Sequence, residues 1–254
     1  ELLHETTKFY DNLSFNIFEF GERSATRILG FDSIFLETIA QTFSSIRVTI
    51  QNGCISDSFT LLRKNYDSIL VHIYLLVLRE KDKKENIFFI KDKTVNNWFY
   101  SKERTLPRTT KEIIEEIGSF EKTKELWEKL NTDKRYIEIK EYCNDFTHSN
   151  FFSNIQLNSK QSMSEEYLNK VLDMLYDCLT DIVILHISYM FILKEHYMMS
   201  SDYRDCLECG MEPPENCEYN VAPFIQEYLN NVLNSRRADI VSILKNSTNM
   251  VIDL

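Results

Sequence analysis

Residues Cys54–Glu80 read CISDSFTLLRKNYDSILVHIYLLVLRE. Within them Ile55, Phe59, Leu62, Tyr66, Ile69, Ile73 and Leu76 recur at alternating steps of four and three. That spacing keeps them on one side of a 3.6-residue spiral and predicts a helix of about seven turns. Gly53 stands just before it, where the chain has to turn into the helix. A helix of this length with one apolar stripe is the central element of an all-α bundle, with other helices packed on it. Arg63 falls about 60° from the middle of the stripe, among Phe59, Tyr66 and Leu70. A charge so near a core face needs a partner.

The neighbouring stretches extend the same pattern. Leu2–Phe20 predicts a helix with Phe9, Leu13, Phe18 and Phe20 as core contacts, broken at Gly21 and Glu22–Ser24; Gly30 interrupts the next segment. Ile34–Gln51 resumes helical spacing through Phe35, Ile39, Phe43, Ile46 and Ile50. Asn52–Gly53 then leaves room only for a tight turn, so this helix and the central one form an antiparallel hairpin. Lys81–Glu85 is a charged exit, and Ile87–Trp98 fits a short helix or an extended loop. Past the boundary at Pro107, Thr109 and Glu112 have the spacing of a capping box for a helix to about Ile117. Phe120–Leu130 and Asp133–Thr147 predict further helices.

Ser149–Ser162 is loop-like, and Ser164 caps a long helix to about Met199 whose buried face runs through Leu168, Val171, Leu172, Leu175, Leu179, Ile182, Leu185 and Tyr189. Ser200–Val221 shows no regular pattern; Ala222–Leu233 and Ala238–Leu244 are helical. The chain is therefore expected to form a single all-α domain over 1–254: a bundle of long antiparallel helices at about 34–80 and 133–200, a short-helix insertion at about 81–132, and a C-terminal loop and helices at 201–254.

Composition agrees. Only 5 Gly and 4 Pro occur in 254 residues, few for a fold rich in tight turns, while 17 Phe and 13 Tyr allow a large core. A net charge of −10 argues against a broad nucleic-acid surface but leaves room for a small basic pocket. With 6 Cys in a chain of this length and no signal peptide, a reducing, cytoplasmic setting is expected. The most apolar run, Ile182–Leu193, contains His186 and Ser188 and falls short of the roughly 20 residues of a membrane span, so a buried helix and no membrane are expected.

Three side-chain groups carry chemical potential. Glu141, Asn144 and His148 share one face of their helix, opposite Ile139, Tyr142, Cys143 and Phe146, which give it a core face. At a helix end beside a Ser/Asn loop, His148 can serve as a general acid or base with a neighbour fixing its tautomer, or simply close the helix. Arg63 and Asp67, one turn apart, can tie helices together or present a guanidinium fork to a phosphate or carboxylate. His72 lies about 120° from the stripe and outside this group. Cys206 and Cys209 have zinc-pair spacing, with Cys217 and His196 as further ligands, but there is only one pair; a reduced-thiol loop is the plainer reading. No phosphate-binding glycine loop, dinucleotide fingerprint, zinc-protease motif or serine-hydrolase elbow is present, and no cofactor is expected.

The pattern SDSFTLLRKNYDSILVHIYLL at Ser56–Leu76 followed by EYCNDFTHSN at Glu141–Asn150 resembles bacterial helical proteins similar to the HEPN superfamily (higher eukaryotes and prokaryotes nucleotide-binding). The resemblance covers about 34–200. It implies a phage-defence or toxin–antitoxin role, RNA or a nucleotide as ligand, a homodimer or partner protein, and metal-independent RNA cleavage where the family's Arg-x(4–6)-His motif is complete. Here His148 and Asn144 match the end of that motif, while Glu141, Tyr142 and Cys143 occupy the positions open to its Arg. The resemblance would place His148 as proton carrier, Arg63 in place of the missing Arg as phosphate ligand beside Asp67, and Asn144 and Glu141 as orienting groups. The alternative is a non-catalytic interaction or regulatory module.

Overall fold

The structure is a computed structural model and describes residues 1–21, 31–82, 93–102, 106–107, 109–159 and 163–253. The expected break at Glu22–Ser24, Gly30, residues 83–85 of the charged exit and residues 87–92 of the Ile87–Trp98 stretch lie outside the described residues, as do the side chains of Phe18 and Phe20. The fold is all-α. In chain order the long elements are α1 (Leu2–Gly21), α2 (Phe31–Gln51) and α3 (Ile55–Asp82). The shorter helices α4 (Lys93–Phe99), α5 (Thr110–Gly118), α6 (Glu121–Thr132), α7 (Arg135–Thr147) and α8 (Phe152–Gln156) come next, then α9 (Glu165–Leu193). The chain ends through α10 (Ser201–Glu208), α11 (Pro223–Tyr228), a π-helical stretch at Leu229–Asn234 and α12 (Ser235–Ser247).

The seven stripe residues of α3 are all buried, and α3 touches α2, α4, α5, α7 and α9. It is the hub that its spacing predicts. Gly53 makes the turn from α2 with φ +76°, a conformation a side chain would strain. Across α3 and α7 the rings of Phe59 and Phe146 stack 3.8 Å apart and nearly parallel, at 6°. From Ile182 to Leu193 every residue of α9 is buried, so this segment runs through the middle of the bundle. Helix α9 is long and apolar enough to cross a membrane by composition, yet 89% of its apolar window is covered by the rest of the protein, as in a core helix. One apolar core extends from Phe9 to Ile252.

Helix ends obey local chemistry. Thr109 and Ser164 accept N-terminal amides of α5 and α9, from Glu112 and Tyr167. The long helix stops at Leu193 rather than Met199 and continues as a 3-10 turn at Glu195–Met198. Two stretches expected to be irregular contain helices. Helix α8 buries only Asn154, and α10 buries none of its residues, so neither left an apolar rhythm to read; α10 begins where the Ser200 hydroxyl accepts from the Asp202 amide.

Candidate functional site

Two groups of polar side chains need explaining: those on the seam between α3 and α7, and a second set in the centre of the bundle.

On the seam, Arg63 leaves α3 and its Nε donates to Oδ1 of Asn144 on α7 at 3.0 Å. Its guanidinium also forms an ion pair with Asp67 one turn along α3 and lies 5.9 Å from the centre of the Tyr66 ring. The charge near the core stripe is thus matched from both helices. On its solvent side Arg63 enters a cleft of about 440 Å³ bounded by Asp67, Trp98, Pro107, Thr109 and Thr110. Of the polar residues expected to act together, Arg63, Asp67 and Asn144 meet. Glu141 and His148 are exposed on α7 and are not among the residues lining the cleft. His148 is the C-cap of α7, its backbone amide donating to the Asn144 carbonyl at 2.9 Å, with the imidazole directed away from the core. Arg135, farther upstream, is bound to Asp181 at 3.2 Å.

The second group was not assembled from the sequence. The Tyr10 hydroxyl of α1 is hydrogen-bonded to Nδ1 of His186 on α9 at 2.8 Å. Nε2 of His186 lies 2.9 Å from Nδ1 of His72 on α3, and Nε2 of His72 lies 3.1 Å from Oδ1 of Asp32 on α2. Asp32 also accepts from Arg79 at 2.8 Å on each oxygen and from the Tyr197 hydroxyl at 2.5 Å. Tyr10, Asp32, His72 and His186 are all 0% exposed. Burial alone would raise the Asp32 carboxyl, but Arg79, the His72 hydrogen bond and the Tyr197 hydroxyl hold it well below the usual carboxylate range. Burial first, and the nearby His72 second, push His186 well below its usual value, so it is neutral. Sealed from solvent, this network can meet no solute; it fixes α1, α2, α3, α9 and the Glu195–Met198 turn to one another. Nearby, Lys194 reaches Glu80 at 2.5 Å, with the two side chains 6% and 8% exposed.

The cysteine loop does not assemble as a site. Cys217 is buried, Cys206 half-buried and Cys209 exposed, and among the described residues no three His, Cys, Asp or Glu side chains converge as metal ligands. The suggested zinc set of Cys206, Cys209 and Cys217 with His196 is therefore not gathered in the structure.

Comparison with protein-family models, with curated proteins and with solved structures gives no match.

Proposed function

We propose that the chain is a HEPN-like helical protein of a bacterial phage-defence or toxin–antitoxin type that engages RNA or nucleotide phosphate at the seam of α3 and α7. The observation that supports this reading is the 3.0 Å hydrogen bond from Arg63 to Asn144, which joins the middle helix to the residue one turn before His148. A guanidinium anchored through Nε keeps its terminal nitrogens for exchange, and a phosphate competing with Asp67 would take them as a fork. His148 is exposed at the helix end; in this reading it would move a proton at a phosphate lying along that end, from this copy or a second one in a homodimer.

A short labelled RNA tests the reading. Wild type should retain it and Arg63→Ala should not; if RNA is cut, His148→Ala should stop the cutting. Equal retention by Arg63→Ala, or unchanged cutting by His148→Ala, removes the assignment.

A second reading has an observation of its own. Asp67 already neutralises Arg63, which favours a non-catalytic interaction or regulatory module in which the pair only sets helix register. It expects Arg63→Ala to melt earlier with no RNA-linked property to lose.

A further inference from the structure

On the other side of α3, about 200° around from Arg63, Asn65 is 1% exposed, and neither its amide nitrogen nor its carbonyl oxygen has a hydrogen-bond partner among the described residues. Buried carboxamides almost always find partners, because leaving one unpaired costs much of its lost hydration. The nearby hydroxyls do not serve it: Thr42 donates to the Thr38 carbonyl at 2.9 Å and Ser68 to the Lys64 carbonyl at 3.0 Å.

Asn65 lies in the wall of a cleft of about 360 Å³ between α2, α3 and α4. Its other walls are mainly apolar and aromatic, from Ile34, Phe35, Ile39, Trp98 and Phe99, and none of its lining residues is ionisable. Two of these rings, Phe35 and Trp98, stack 5.5 Å apart at 18°, so the aromatic part of the wall is held in place. Its volume falls in the range of small-molecule sites, and mostly apolar walls with one or a few placed polar groups are their usual design.

We propose that this cleft binds a small, uncharged, planar molecule that carries an amide- or lactam-type edge, with an acceptor and a donor side by side. Such an edge pairs with both Asn65 atoms at once, the nitrogen donating and the oxygen accepting, while the flat body lies along the aromatic wall. The absence of ionisable lining residues selects against charged ligands. The two Asn65 atoms sit just beneath the cleft wall, so bulk water does not satisfy them and the ligand reaches them by displacing side chains at the rim, where Ile34 is already 61% exposed. The proposal does not rest on the phosphate reading: Trp98 lines both clefts, but Arg63, Asp67 and Asn144 take no part in this one.

Benzamide, a ring bearing such an edge, is the probe, and toluene, the same ring without it, is the control. The test follows the side-chain amide signal of Asn65 in the isotope-labelled full chain, identified by its loss in Asn65→Leu. Benzamide should shift that signal and bind Asn65→Leu about tenfold more weakly than wild type. Toluene should bind both proteins alike and bind wild type more weakly than benzamide does. Equal benzamide affinity in the two proteins, or an Asn65 signal unmoved at millimolar benzamide, overturns the proposal. If Asn65→Leu does not fold, wild type alone decides: toluene binding as tightly as benzamide overturns it. A crystal structure in which ordered water is the sole partner of Asn65 in the presence of benzamide does the same.

Discussion

Nδ1 of His72 and Nε2 of His186 face each other at 2.9 Å in the centre of the bundle, and only one of the two nitrogens can hold the shared proton. As the ionised acceptor for Nε2 of His72, Asp32 places a proton there. The other ring nitrogen of His186 meets the Tyr10 hydroxyl at 2.8 Å. Each of the four ring nitrogens therefore has a partner inside the bundle. Arg79 binds both Asp32 oxygens and sets a positive charge beside the carboxylate.

Burial of this network makes stability depend on pH. His186 has a folded pKa well below its ordinary 6.5. Below about pH 6.5 the unfolded chain therefore takes up a proton that the folded chain refuses, and stability falls as pH falls, with a slope approaching about 1.4 kcal/mol per pH unit. Asp32, held below its ordinary 3.8, adds a second loss that begins only under that value and grows as pH falls toward the folded pKa. Melting followed between about pH 7 and pH 5 should show the first loss in wild type. His186→Gln should melt earlier at neutral pH yet lose less across that interval. An unchanged slope in the variant would place the acid sensitivity elsewhere.

Asp32→Asn tests the charge itself. The amide keeps the shape, but Arg79, with a side chain only 13% exposed, loses its counter-charge. Breaking a buried pair from one side costs about 3–5 kcal/mol, which for a chain of this size lowers the melting temperature by roughly 10 °C. Asp32→Asn combined with Arg79→Met should recover part of that loss, because the stranded charge is removed. A single variant that melts with wild type would show that the pair contributes nothing.

The two polar groups differ in how far the sequence announced them. The main apolar faces were legible: spacing defines the α3 stripe, and the Ile182–Leu193 run is buried as its unbroken apolar character requires. At the margins spacing overreached, since Tyr142 is 43% exposed and Leu168 and Leu172 are half-buried. Arg63 was legible as a charge in need of a partner, and Asn144 could be named because it shares a face with His148. The Asp32 network was not. Its members are 40, 114 and 176 residues apart, no spacing rule links them, and Asp32 lies just before the expected start of its helix. One signal was present. His72 sits within ILVHIYLLV and His186 within IVILHISYM, and a polar ring in so apolar a stretch must find a partner inside.

Arg63→Ala and Asp67→Ala separate structure from binding on the seam. Asp67 is half exposed, so the direct worth of its pair with Arg63 is small. Asn144 is the partner that loses most when Arg63 goes. Arg63→Ala should therefore destabilise by about 1–2 kcal/mol, or roughly 2–6 °C, and Asp67→Ala by less than about 1 kcal/mol. If the seam holds phosphate, Asp67→Ala should bind RNA more tightly than wild type, because the guanidinium is released. Tighter binding by Asp67→Ala together with weaker binding by Arg63→Ala is a pattern that a register pair cannot produce.

Gly118 ends α5 at a place where no side chain fits. A Cβ there would lie 2.5 Å from both Cε2 and Nε1 of Trp127 and 2.6 Å from Cδ2, deep in the indole rather than at a flexible tip. Helix propensity alone favours alanine over glycine by about 1 kcal/mol. The clash must reverse that sign, since moving the indole disturbs the packing of α5 on α6, and overpacking of this kind costs about 1–3 kcal/mol. Gly118→Ala should melt about 2–9 °C below wild type. In a Trp98→Phe background, which leaves Trp127 as the sole indole, its emission should move to longer wavelength as the ring is pushed toward water. Pairing Gly118→Ala with Trp127→Leu should restore part of the melting temperature relative to Trp127→Leu alone. If alanine stabilises the chain in the wild-type background, the indole is free to move aside and the close approach has no energetic weight.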